Sequence, residues 1–385
     1  MKVLIAPDKF KGSVTAEQVC TAIRLGLLSS DPLLKICEQP LADGGEGTCE
    51  LLTNFSHGKF VASEVRDPLS RRISTVFGIS QDGETAFIEM AKASGLQLVN
   101  VSERNPWYTT TVGTGDMVRH ALDAGVNHIV MGIGGSATND GGMGMAIALG
   151  IEFYDAKNDR LSGRGRELES ATRIDTSNMH PRLNEVDFTV FCDVDNPLTG
   201  TRGAAHVFAA QKGADEKMIV ALDKGLEHYG KLLQQSTGRM VDFSGAGAGG
   251  GLPASLKAFA NIEIRAGMEF IIGFIGLEEK VRQTDVVFTG EGKVDIQTLS
   301  GKVVKGVSDL AKKYNKPLIV VAGTSDVTIR DLQDLKIQKL LTLTADGTSD
   351  KLAMEKAPEL IEKLVKGAWA EYKGKVSYNN DGLEN

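Results

Sequence analysis

The sequence predicts an α/β protein of two domains, a parallel-sheet domain built from both chain ends and a second α/β domain inserted into it. Three observations lead there. Short apolar runs alternate with loops and helix-period segments at the start of the chain and again at its end. Between them the alternation breaks into a hairpin-rich meander. The chain is 385 residues long, more than one hydrophobic core usually organises. The boundaries fall where the rhythm changes, so residues 1–60 and 284–385 form the terminal domain and residues 61–283 the inserted one.

Taken in order, 2–6 is a short buried strand, followed by the loop PDKFKGSVT with Ser13 or Thr15 as helix cap. Val19, Ile23 and Leu27, four apart, make one buried stripe of the next helix. A strand at 35–40 enters LADGGEGT, and a helix follows to about Phe55. Residues 59–66, 73–79 and 85–90 read as strands, the last two joined through Gln81-Asp82-Gly83, an Asp-Gly hairpin signal. A strand at 128–133 runs into GIGGSATNDGG and a short helix at 143–149. A strand at 187–192 precedes a long helix at about 216–235, whose Met218, Leu222, Leu226, Tyr229 and Leu233 repeat at helical spacing. The cluster SGAGAGGG and a helix at about 267–281 close the inserted domain. Strands at 285–289, 317–322 and 337–343 then alternate with helices, the last carrying Ala357, Ile361, Leu364 and Ala368 before a polar tail expected to fray.

Composition narrows the function. Apolar residues at 42% and charged residues at 24% are those of a soluble globular protein. A net charge of −7 argues against a nucleic-acid footprint. No apolar run approaches the roughly 18–20 residues of a membrane span, and the opening MKVLIAPDKFKGS lacks the pattern of a signal peptide. Cys20, Cys37, Cys49 and Cys192 have no CxxC spacing and read as thiols in a reducing cytoplasm. The apolar patterns single out no interface, which leaves homo-oligomerisation open.

The loops carry the chemistry. GIGGSATNDGG lies between a strand and a helix, where consecutive backbone N–H groups can face an anion. GIGGSA also fits a loose dinucleotide fingerprint, but TNDGG intervenes before the helix, and Gly245–Gly250 fits the same pattern. No P-loop motif and no protein-kinase signature occurs. Three acidic loops, around Asp43 and Glu46, Asp193 and Asp195, and Glu291 and Asp295, follow strand ends, the edge where open α/β sheets bind ligands. Carboxylates there can hold Mg²⁺ or accept a proton. Lys9, Lys11, Arg164, Arg166, Lys293 and Lys302 share these turns and can clamp carboxylate or phosphate. A cleft between the two domains is the expected site.

The segments APDKFKGS, PLADGGEGT, IEMAKASGL, TTTVGTGD, GIGGSATNDGG, CDVDNPLTG, GAGAGGGL and TGEGKVDIQTLSGK, in this order from residue 6 to residue 302, resemble the type I glycerate kinases. The resemblance implies ATP- and Mg²⁺-dependent phosphorylation of D-glycerate, with 2-phosphoglycerate favoured. It also implies a flavodoxin-like domain from both chain ends with an inserted α/β domain. On this reading Gly134, Gly135, Ser136, Ala137, Thr138 and Asn139 cradle the ATP phosphates. Asp193 is the general base, with Asp295 the second candidate. Asp43 and Glu46 bind Mg²⁺, and Lys11 and Lys293 neutralise phosphate or carboxylate charge. Lys9, Arg66 and Arg71 are candidates for the glycerate carboxylate. Two alternatives compete, a nicotinamide-dependent oxidoreductase using GIGGSA and a non-catalytic sensor of sugar acids.

Overall fold

The computed structural model describes residues 1–299 and 303–381. Along the chain the described strands are β1 (Lys2–Ile5), β2 (Lys35–Glu38), β3 (Lys59–Arg66), β4 (Arg72–Ile79), β5 (Thr85–Glu89), β6 (His128–Gly132) and β7 (Glu152–Tyr154). They continue with β8 (Arg173–Asp175), β9 (Asp187–Phe191), β10 (Asn261–Arg265), β11 (Val286–Val294), β12 (Leu318–Ser325) and β13 (Lys339–Thr342). The chain divides into two compact units, one of Met1–Asp43 with Met268–Asn385, the other of Gly44–Gly267.

The first unit holds a five-stranded, all-parallel sheet in the order β13-β12-β11-β1-β2. β1 lies between strands from opposite ends of the chain, with Lys2 opposite Lys35 and Val3 opposite Val286. Val3, Ile5, Val286, Phe288, Ile319 and Val321 are buried on one face and Leu4, Val287 and Val320 on the other, as two-sided cover of a parallel sheet requires. The helix Ala16–Ser30 starts in a capping box, in which Thr15 Oγ1 accepts the Gln18 N–H at 3.3 Å and Gln18 Oε1 accepts the Thr15 N–H at 2.9 Å. It packs against Ala357–Asp381, and a Cβ on Gly26 would lie 2.6 Å from the Glu362 carbonyl oxygen. That last helix runs through Asp381, over residues expected to fray. Trp369, stacked on Tyr372 and set against Phe288, anchors it, and no glycine or proline interrupts residues 375–381.

The second unit holds a six-stranded sheet in the order β10-β9-β6-β5-β4-β3. β5, β6, β9 and β10 run parallel, while β3, β4 and β5 form the antiparallel meander. At the β4–β5 turn Asp82 accepts the Ser80 hydroxyl at 2.5 Å and the Glu84 N–H at 3.0 Å, and Gly83 takes φ +79°. β7 and β8 pair as a separate ribbon. The helix Glu216–Thr237 starts at Asp215, which accepts the Met218 N–H at 2.8 Å, and ends at Gly238 in the left-handed region. Leu222, Leu226, Tyr229 and Leu233 are its buried stripe.

The unit boundaries differ from those expected near residues 60 and 283. Residues 44–60 belong with the second unit, because the helix Thr48–Phe55 covers its sheet. Cys49 Sγ donates to the Phe87 carbonyl of β5 at 3.0 Å, and a Cβ on Gly78 of β4 would lie 1.7 Å from Thr53 Oγ1. Residues 268–283 belong with the first unit, where Met268 meets Gly306. Strand-loop-helix rhythm is a local signal and does not say which sheet a helix covers. All four cysteines are free thiols, and burial pushes Cys49 up to about 11.

Candidate functional site

In the second unit, β6 and β9 are adjacent and parallel, with Gly132 opposite Phe191. The loops that follow them, 133–142 and 192–200, therefore leave the same sheet edge. The first loop is pinned along its length. Ala137 N–H donates to Ser94 O at 2.8 Å, and Ala137 O accepts the Thr109 hydroxyl at 2.9 Å. Lys212 Nζ donates to Ser136 Oγ at 2.8 Å and to Thr138 O at 2.6 Å. Asp140 accepts from Thr111 N–H and Oγ1 at 2.7 Å each and from Gly142 and Gly144 N–H at 3.2 Å each. Gly134 and Gly135 stay exposed, while Ser136, Ala137, Thr138 and Asn139 are buried. Thr138 Oγ1 and both polar atoms of the Asn139 side chain are buried without a partner.

The glycine cluster at 245–251 acts as packing for this loop. Gly250 accepts the Gly141 N–H, takes φ +75°, and has no room for a side chain, since a Cβ would lie 2.1 Å from Thr138 O. Gly250→Ala is expected to destabilise the protein by about 2 kcal/mol or more, from the left-handed backbone and the clash together. Urea denaturation midpoints check this, and an unchanged midpoint would refute the packing role.

The second loop carries Asp193, exposed, with Oδ1 accepting the Gly267 N–H at 3.0 Å. Asp195 is a solvated ion pair, 2.7 Å from Arg202, whose hydrogen bond holds its carboxyl below the usual range. Glu46 is exposed on the loop before Thr48–Phe55. The two arginines suggested for a substrate carboxylate already have carboxylates. Arg66 binds Asp116 in bidentate fashion at 2.9 and 2.6 Å, and Arg71 binds Asp67 at 2.5 Å and Glu103 at 3.2 Å. Of the other two arginines in glycine turns, Arg166 lies over the Tyr108 ring at 5.1 Å.

In the first unit, the ends of β1, β11 and β12 open on a cavity of about 390 Å³. Asp8, Lys9, Lys11, Asp43, Glu291 and Lys293 line it. Asp350 lines it as well, and Asp43 and Glu291 both repel the Asp8 carboxylate. Burial and then the Asp43 charge push Asp8 from 3.8 up to about 7, with Glu291 adding to the rise. Glu291 accepts the Thr298 hydroxyl at 2.5 Å, and Thr298 Oγ1 accepts the Asp295 N–H at 3.0 Å, so Asp295 sits in a turn fixed by Glu291. Lys293 is ion-paired to Asp326 at 2.6 Å, which raises its pKa. Lys302 lies outside the described residues. Among the described residues no group of three or more His, Cys, Asp or Glu forms a ready metal cage.

The raised Asp8 has a sign that can be measured. Between about pH 4 and 7 the folded protein keeps a proton on Asp8 that the unfolded chain has lost, so stability falls as pH rises through that window. Asp8→Asn is expected to match wild type near pH 4 and to exceed it above pH 7, by roughly 2 kcal/mol after discounting for partial exposure. Urea midpoints across pH show it. A variant no more stable than wild type at pH 8 would refute the strain.

Sequence reasoning passed over Asp8 and Lys212. Asp8 stands within APDK, one residue before a lysine that drew the attention. Lys212 stands at the end of a short helical stretch, AAHVFAAQKG, where a solvated lysine looks the same.

The model of the glycerate kinase family matches residues 3–372. The chain belongs to the glycerate kinase family. Within it, the chain is 41% identical over 376 residues to a glycerate kinase of Bacillus cereus, covering 97% of this chain and 98% of that one. It is 43% identical over 353 residues to the glycerate 2-kinase of Escherichia coli K12, covering 91% and 93%. A crystal structure from Salmonella typhimurium LT2, described as a glycerate kinase 2, aligns with a TM-score of 0.86 at 41% identity over 98% of this chain and 99% of that one. The α/β fold of this glycerate kinase family member, with its parallel and mixed sheets, is thus that of a solved relative.

Proposed function

We propose that this chain transfers the γ-phosphate of ATP to a hydroxyl of D-glycerate, with 2-phosphoglycerate as the product. The observation that carries this reading is the 43% identity, over nine-tenths of both chains, to a glycerate 2-kinase. The loop geometry agrees with it. Phosphoryl transfer asks a protein mainly for positioning and charge neutralisation, and the chain offers a pinned glycine loop in one unit and a lysine-lined carboxylate cavity in the other.

The roles divide accordingly. The 134–139 loop takes the ATP phosphates, chiefly at exposed Gly134 and Gly135, because the Ala137 N–H is already engaged by Ser94. Asp193 accepts the proton of the attacking hydroxyl, with Asp295 held as second candidate. Lys11 and Lys293 offset phosphate or carboxylate charge, and Lys9 is the remaining lysine at the cavity for the glycerate carboxylate.

Asp43 with Asp8 would hold Mg²⁺, since this ion uses one or two carboxylates plus substrate oxygens and waters in place of a full protein cage. Their mutual repulsion fits a cation. Bound there, Mg²⁺ supplies neutralisation of phosphate charge. Glu46, exposed and in the other unit, is the weaker ligand candidate.

No helix among the described residues is long and apolar enough to cross a membrane. With four free thiols, this supports a cytoplasmic enzyme. A dinucleotide site is disfavoured because the helix starts only at Met143, after the loop. The sensor reading is disfavoured by membership of a kinase family.

The test is ADP release from ATP and Mg²⁺ with and without D-glycerate, with ³¹P NMR of the product. Glycerate-dependent ADP release and the coupling pattern of a 2-phosphate are expected. Glycerate binding without turnover would favour the sensor.

A further inference from the structure

Lys212 enters none of the assignments above, yet its ammonium is sealed behind the loop they give to ATP. The residue closes a short turn, Ala210–Lys212, where Gly213 at φ +98° reverses the chain. The side chain is 2% exposed. Its Nζ reaches two acceptors, Ser136 Oγ and Thr138 O, both on the glycine loop. No salt bridge joins it to a carboxylate among the described residues.

The charged groups packed about it are few. Asp140, two residues beyond Thr138, favours the charged lysine. Arg104 packs its backbone on Gly213, and its own Nε is buried without a partner. Burial outweighs Asp140 and pushes the ammonium from 10.5 down to about 7.

On the loop that this cation bonds, Thr138 Oγ1 and the Asn139 amide are buried with nothing to bond. Buried polar groups are normally satisfied, and unsatisfied ones cluster where a ligand completes the set. An under-compensated cation and three unpartnered polar atoms within five residues of two exposed glycines describe a loop set up for an anion.

We propose that Lys212 is the positioning residue of the glycine loop. It fixes Ser136 and Thr138 so that Gly134 and Gly135 meet the anionic group of the substrate, and that group supplies the counter-charge the lysine lacks. Lys212 acts through the loop and touches no reacting atom. The anion's identity rests on the reading above that the loop takes the ATP phosphates.

The experiment measures kcat and both KM values from pH 6 to 9 for wild type, Lys212→Met and Ser136→Ala. The profile of kcat/KM reports the free enzyme. Charged Lys212 is the competent form, so kcat/KM for ATP should fall by about tenfold per pH unit above a break near pH 7. Asp8 titrates in the same range in every variant, so the decisive component is the one present in wild type and lost in Lys212→Met. At pH 7, Lys212→Met should raise KM for ATP by about tenfold or more, with the glycerate KM changed less than about twofold. Ser136→Ala keeps the lysine and its Thr138 bond, so it should keep the break and raise the same KM less. It carries the test if Lys212→Met does not fold.

If the break is lost but the KM for glycerate rises instead, the loop holds the glycerate carboxylate. Lys212 then keeps its role and the ATP assignment fails. If both variants keep the wild-type profile and both KM values, the proposal is overturned.

Discussion

Asp193→Asn is expected to lower kcat by about 10²- to 10⁴-fold, the usual worth of a general base, while the protein stays folded. The substitution is nearly isosteric and retains the oxygen that accepts the Gly267 N–H, the contact that orients the side chain at the end of β9. The carboxylate is exposed, so its loss leaves no buried charge behind. What changes is proton affinity, because an amide oxygen does not take up the proton of the attacking hydroxyl. KM for both substrates should move much less than kcat, since the proton is transferred only as the reaction proceeds. The check is steady-state kinetics beside a thermal melt. A kcat within a few-fold of wild type in a folded variant would pass the role to Asp295.

The second large effect is on stability. Asp140→Ala is expected to cost roughly 2–4 kcal/mol, because it strips the acceptor from four buried donors at once. Those donors are Thr111 N–H and Oγ1 and the N–H groups of Gly142 and Gly144. They belong to the starts of two helices, Val112–Asp123 and Met143–Ala148, whose first N–H groups have no intrahelical partner. One carboxylate therefore caps both. Removing the buried carboxylate also removes its desolvation penalty, which offsets part of the cost, since burial pushes Asp140 above its ordinary pKa. Asp140→Asn should cost under half as much, because one amide oxygen can keep the three bonds made by Oδ2. Urea midpoints at unchanged slope measure both. A loss below about 1 kcal/mol in Asp140→Ala would show that the donors find other partners.

Much of the fold was legible where period and turn chemistry agree. β1, β6, β9 and β11 carry apolar runs that lead into loops, β2 precedes the glycine loop LADGGEGT, and the β4–β5 hairpin carries its Asp-Gly signal. Three strands escaped notice. β7 and β8 have three residues each, too few to show a period, and β10 alternates half-exposed against a single neighbour, β9. The helix Val112–Asp123 was hidden by Gly113 and Gly115, which lower helix propensity. The structure gives their reason. A Cβ on Gly113 would lie 1.7 Å from Arg66 O, and one on Gly115 would lie 2.5 Å from Met145 O.

The site was legible as loops and illegible as partnerships. Glycines and carboxylates after strand ends marked both sets of candidates. Nothing in sequence distance could join Asp8 to Glu291, 283 residues away, in one cavity. Nor could it show that Arg66 and Arg71 are held by Asp116 and Asp67. Lys212, 76 residues from Ser136, illustrates the same limit.

The pairing of β1 between β2 and β11 has a consequence for biosynthesis. Residues 44–267 leave the ribosome as an uninterrupted stretch that contains every strand of its own sheet. The first 43 residues emerge earlier but lack β11, β12 and β13, and lack the C-terminal helix that covers Ala16–Ser30. Until residue 286 is made, β1 has a bare edge that invites pairing with other chains. The middle of the polypeptide should therefore mature first, with the nascent N-terminus waiting on the last hundred residues. Truncations that remove β11 onward should shift the product toward aggregates even though the N-terminal sequence is intact.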